Sequence, residues 1–348
     1  MVEWLAGNRI RGTSTERTST TGFNPVSGGW KELTRVTLGS TSTTMTTPTF
    51  TNKRYYKVLV HGIQSSGSVE TGLQMNSVTG GGKYASRLSV DGGTERTAIN
   101  ANYIADGWFS DPNEYISEIN IANLAGKEKL IIGHTGGANT AGAGTAPKRM
   151  EWVGKFVPSP DVDVSSILIT GSGTFAVGSE IVVLGWDPAD THTTNFWEEL
   201  DDSSWSTGGS WTSGTFTSKK YLYVQFYTEG GAGSSYFRFN GDSGSNYANR
   251  YSINGGADST ITGQPESYLG AIDGLSFHNL LIINNASNEK LFKHNRVSRS
   301  TAGASNSPKR MESVGKWANT SNQITSITVT TAGGGNFTAG NMKVWGHD

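Results

Sequence analysis

Tyr84-Ala85-Ser86-Arg87-Leu88-Ser89-Val90-Asp91-Gly92-Gly93 returns 163 residues later as Tyr247-Ala248-Asn249-Arg250-Tyr251-Ser252-Ile253-Asn254-Gly255-Gly256. Each copy alternates residue character along a short run, as a half-buried strand does, and then reaches Asp-Gly or Asn-Gly. Those dipeptides tolerate positive φ and so suit the tight turns of β-hairpins. One stretch thus points both to sheet and to repetition.

The repetition extends through most of the chain. Pro147-Lys148-Arg149-Met150-Glu151-Trp152-Val153-Gly154-Lys155-Phe156 returns as Pro308-Lys309-Arg310-Met311-Glu312-Ser313-Val314-Gly315-Lys316-Trp317. Trp30-Lys31-Glu32-Leu33 is echoed by Trp197-Glu198-Glu199-Leu200, Glu128-Lys129-Leu130 by Glu289-Lys290-Leu291, and Val183-Leu184-Gly185-Trp186 by Val344-Trp345-Gly346-His347. The offset drifts from 167 to 161 residues, as small loop insertions would make it. A period of this size fits a domain and far exceeds a solenoid unit. Between the copies, the polar run Asp187-Pro188-Ala189-Asp190-Thr191-His192-Thr193-Thr194 reads as a short connector that keeps the halves close. The expected domains are 1–187 and 188–348.

Glycine accounts for 46 of the 348 residues, about twice the usual share. Aromatic residues nevertheless reach 10%, too many for a disordered chain. Tyr55–Gly62, Tyr221–Tyr227, Lys129–Gly133, Leu280–Asn284, Ile181–Gly185 and Met342–Gly346 are β-branched or aromatic runs that stop at glycine or polar residues. No segment shows a capped helical period, Ala101–Asp106 being a poor candidate for one turn. The expectation is all-β: two tandem homologous sandwiches, jelly-roll-like, with seven or eight strands each.

Function classes narrow by exclusion. A net charge of −1 with 16% charged residues is ill suited to neutralising nucleic-acid phosphates. With no cysteine, thiolate metal sites and disulfides are excluded. The start has no secretory pattern, and no run approaches the length of a membrane helix. The chain contains no HExxH or G-x-S-x-G pattern. His134 and His294 fall one alignment position apart and read as strand-end histidines at a surface loop. Asp161/Asp163 and Asp201/Asp202 lack counterparts in the other copy and read as turn residues or a weak cation site rather than a glycosidase pair. No catalytic residue, cofactor or metal is expected. Arg149 and Arg310 are candidates for ion pairs within the fold or at an interface. Trp30 and Trp197 match and read as packing residues. Trp108, Trp205 and Trp211 are unmatched and are candidate exposed aromatics, able to stack on sugars or anchor an interface.

The string Trp4–Arg17, together with Lys53–Gly62, Tyr84–Arg87, Lys127–Leu130 and Val183–Asp187, resembles modules of virion structural proteins of marine tailed bacteriophages. The resemblance spans most of the chain and supplies no catalytic residues. It implies a capsid, capsid-decoration or tail-fibre component located in the virion and made in the host cytoplasm. Such a component would assemble with other virion proteins and with itself, as a trimer for instance, and contact no membrane. The second half lacks the Asn8–Arg17 string, so residues 1–20 read as a docking arm, with Trp4 as apolar anchor and Arg9 and Arg11 as polar contacts. The alternative is a tandem carbohydrate-binding module recognising a host surface glycan.

Overall fold

The computed structural model describes residues 29–66, 69–80, 82–109, 114–158, 162–187, 195–230, 233–272, 274–299, 307–333 and 335–348. Trp4, Arg9, Arg11 and Asp161 lie outside them. No helix occurs among the described residues, and the protein is all-β, of the sandwich or jelly-roll class.

The first half contains β1 (Lys31–Thr37), β2 (Ser42–Thr46), β3 (Tyr55–Ser66), β4 (Val69–Met75), β5 (Tyr84–Val90), β6 (Arg96–Ala101), β7 (Ile104–Phe109), β8 (Glu114–Ala122), β9 (Lys129–Gly137), β10 (Lys148–Phe156), β11 (Ile167–Phe175) and β12 (Glu180–Trp186). The second contains β13 (Glu198–Trp205), β14 (Ser210–Thr212), β15 (Tyr221–Gly230), β16 (Ser234–Phe239), β17 (Tyr247–Ile253), β18 (Ser259–Gln264), β19 (Ser267–Ala271), β20 (Ser276–Ile283), β21 (Lys290–Ser298), β22 (Lys309–Trp317), β23 (Ile327–Ala332) and β24 (Phe337–His347).

Each half is a broad layer facing a narrow one. The broad layers run β6-β5-β10-β9-β8-β3-β12-β1 and β18-β17-β22-β21-β20-β15-β24-β13. The narrow layers run β2-β11-β4-β7 and β14-β23-β16-β19. Strand for strand, the two orders correspond. In the first half the end of β11 also pairs with β3, joining both layers into one nearly closed, barrel-like sheet.

The repeated hairpins form as their sequences predict. Asp91 and Gly92 have φ of 53° and 70°, Asn254 and Gly255 of 53° and 73°. Positive φ at both turn positions matches the right-handed twist of the flanking strands. Each half has its own core between its layers, one around Tyr56, Tyr84, Trp152 and Phe175, the other around Phe237, Phe292, Trp317 and Phe337.

Twelve strands per half exceed the seven or eight expected. Some of the additional ones, such as β1 (KELTRVT) and β2 (STTMT), are polar edge segments without a clear apolar alternation; others, such as β8 (EYISEINIA) between β9 and β3, are interior strands. Ala101–Asp106 contains no helical turn, and Ile104 begins β7. Glycine also does not end strands where the sequence places the ends. Gly62 and Gly133 lie inside β3 and β9, because the Tyr115 and Trp152 rings cross the space a Cβ would fill.

Candidate functional site

The outer faces of the two broad layers meet. Period-2 alternation explains how one strand serves two interiors. On β12, Ile181 and Val183 enter the first sandwich core, while Val182 and Leu184 face the other half. Those two residues, Leu59 and Ile116 form one side of a third apolar cluster, and Tyr221, Leu281, Ile283 and Leu291 form the other.

Charge is buried within this joint. The Glu118 carboxylate on β8 takes ion pairs from Lys57 of its own half and Lys293 of the other. Burial alone would push Glu118 up, but the two ammonium groups outweigh it and hold the carboxyl well below the usual range. Lys57 also lies 6.0 Å from the Trp30 ring centroid. At one rim Glu180 accepts the Tyr221 hydroxyl and pairs with Lys220 at 3.0 Å and Arg35 at 3.5 Å. Along a second rim Glu114 accepts from Asn288 at 3.0 Å and contacts His61 at 2.9 Å. Nearby, the Lys316 ammonium donates to the carbonyls of Ala138 and Thr140.

Arg149 is buried at the far corner. It donates to Asp258 of the second half through Nε at 3.2 Å and Nη2 at 2.5 Å. It also pairs with Glu151 and lies 3.6 Å from Glu312. Arg250 returns the contact, reaching Asp91 at 3.1 Å and the Pro147 carbonyl at 2.8 Å. Burial and the neighbouring Glu312 raise Glu151 to about 7. Arg310 is exposed and pairs with Glu312 of its own strand. Thus Arg149 and Arg310, alike in sequence, sit in unlike surroundings.

The other candidates separate. Trp205 and Trp211 stack on one another at 5.1 Å, half-buried against the second core, with Phe337 4.5 Å from Trp211. Neither stands free as the sequence reading allowed. Trp108 contributes backbone to β7, and its side chain is not among those described. Asp163 accepts from Asn52 at 2.5 Å. Asp201 accepts the Gly214 amide, and Asp202 pairs with Lys343 at 2.7 Å.

His134 and His294 are not surface-loop residues. Both are buried within strands. The one-residue alignment difference puts them on opposite sheet faces. His134 faces the joint, and burial followed by Lys293 and Arg149 keeps it neutral. His294 enters the second core, 3.1 Å from both His278 and Ser313. Gly133 occupies the corresponding place in the first core, with Trp152 over it where the second half has Ser313. No group of three or more potential metal-ligating side chains occurs among the described residues.

The sequence reading missed the joint itself. Its one legible trace is the uninterrupted apolar run of β12, buried on both faces.

No family model matches the chain, and no curated protein matches it. Among solved structures, human GIVD cytosolic phospholipase A2 aligns at 8% identity and a TM-score of 0.12, covering 84% of this chain and 33% of that one. A Pseudomonas aeruginosa FadL homologue aligns at 10% identity and a TM-score of 0.10, covering 85% and 90%. The chain spans about a third of the phospholipase's length. Likenesses this low carry no argument about fold or function.

Proposed function

We propose that this chain is a non-enzymatic structural protein of a virus particle, displayed on its surface as a capsid, decoration, tail or fibre component. It works by holding contacts with neighbouring particle proteins. The observation that carries this reading is apolar side chains left exposed on the broad layers, Leu130, Ile132 and Val153 on one half and Phe277 and Val297 on the other. Contiguous apolar surface on a folded protein marks a contact with another protein. The resemblance of its sequence to phage virion modules points the same way.

The test is particle incorporation. Full-length chain is expected in purified particles at a fixed stoichiometry. Deleting residues 1–20 is expected to abolish incorporation while the remaining chain keeps its melting temperature. A full-length chain that never co-purifies with particles overturns the assignment. Normal incorporation of the truncated chain overturns the arm.

A further inference from the structure

The joint between the halves is one-sided. Register fixes which residues correspond: Leu130 on β9 stands where Leu291 stands on β21, Val153 where Val314 stands, and Ile116 where Phe277 stands. Within the chain, Leu291 is 2% exposed and Leu130 59%; Ile116 is 2% exposed and Phe277 45%. Val314 and Arg149 are buried, whereas their counterparts Val153 and Arg310 are exposed. The first half therefore lends one end of its broad layer to the joint and the second half lends the opposite end. Each keeps free the end that its counterpart buries. Among the described residues, the pairs Lys293–Glu118, Lys220–Glu180 and Arg149–Asp258 have no reciprocal pair. Only at the corner, where Glu312 lies beside both Arg149 and Arg310 and Arg310 acts on Glu151, do the two halves approach each other evenly. A non-reciprocal contact leaves a complementary half-interface at either end, as head-to-tail contacts do.

The free ends remain chemically matched. Arg149 pairs with Asp258 inside the chain. The corresponding residues on the free ends are Arg310 and Glu95, both exposed and opposite in charge. At the centre of the joint, Lys293 meets Glu118. The corresponding residues are Ile132 and Asn279, so both charges are absent together and neither would be stranded on burial.

We propose that copies of this chain join head to tail. The free face of the first sandwich, with Leu130, Ile132, Val153 and Glu95, receives the free face of the second sandwich of the next copy, with Phe277, Val297 and Arg310. The contact repeats between chains the joint that exists within each chain. It does not depend on assignment to a virus particle, since it rests on the two halves alone.

The chain has no cysteine, so crosslinking reads directly. Glu95→Cys and Arg310→Cys are prepared separately, mixed and oxidised. A disulfide-linked heterodimer is the expected product, and the double variant is expected to give multimers of the 37.1 kDa chain. In sedimentation velocity the wild type is expected to gain mass with concentration, and Val153→Asp or Phe277→Asp alone to weaken association at least tenfold. Both sites are exposed, so folding should survive, and circular dichroism verifies it. Three results overturn the proposal: a wild type that stays monomeric throughout, a double variant that closes only on itself, or homodimers of Glu95→Cys that outnumber heterodimers.

Discussion

Replacing Lys293 with isoleucine tests the physics of the joint most directly. Glu118 is 11% exposed and held by Lys293 and Lys57. Removing one partner of a buried, hydrogen-bonded ion pair costs roughly 3–5 kcal/mol, because the remaining charge stays desolvated. Lys57 remains beside Glu118, so the expected loss is about 2–3 kcal/mol at neutral pH. In the wild type Glu118 lies below its ordinary pKa. Its stabilising contribution is therefore present above the ordinary carboxylate range and is lost as pH falls through the folded-state value. In the variant, burial outweighs Lys57 and the carboxyl's pKa rises, so the deficit should shrink on acidification. Urea unfolding at pH 7 and pH 5, followed by tryptophan fluorescence and far-ultraviolet circular dichroism, measures both effects. Because Lys57 also depends on Glu118, the uncharged set found in the other arrangement is Tyr223, Asn279 and Ile132. The triple variant Lys57→Tyr, Glu118→Asn, Lys293→Ile, which strands no ammonium, should be more stable than the single variant by at least about 1 kcal/mol. A single-variant loss below about 0.5 kcal/mol, or a triple variant as unstable as the single, refutes the reasoning.

Two further perturbations examine the cores. Asp106 is fully buried, and burial raises its carboxyl to about 7, partly offset by Thr71. A raised carboxyl contributes stability that is lost as pH rises through its folded-state value, here on the order of 4 kcal/mol as an upper limit. Asp106→Asn should therefore flatten the decline in melting temperature between about pH 4 and 7, and an unchanged slope would count against this account. Trp152→Ser should cost roughly 3–5 kcal/mol through the cavity it leaves. Adding Gly133→His, which copies the His294 and Ser313 arrangement, should recover at least about 1 kcal/mol in guanidinium unfolding. If the pair is no better than the single change, the two cores do not exchange solutions as described.

Alternation, Asp-Gly and Asn-Gly turns and the doubled motifs were enough to read an all-β chain whose second half echoes its first, because these are local signals that each strand carries in its own residues. Polar edge strands escaped that reading because hydrogen bonding to a neighbour, not side-chain pattern, makes them strands. Glycines that look like strand ends proved to be seats for aromatic rings, a relation between residues distant in sequence. What only the tertiary structure decided is which copy of each shared motif is buried. Leu130 and Leu291, Val153 and Val314, Arg149 and Arg310 are the same residues in nearly the same words, yet one of each pair is sealed in the joint and the other faces outward. Burial is a property of what packs against a face, and no single strand's sequence contains its partner.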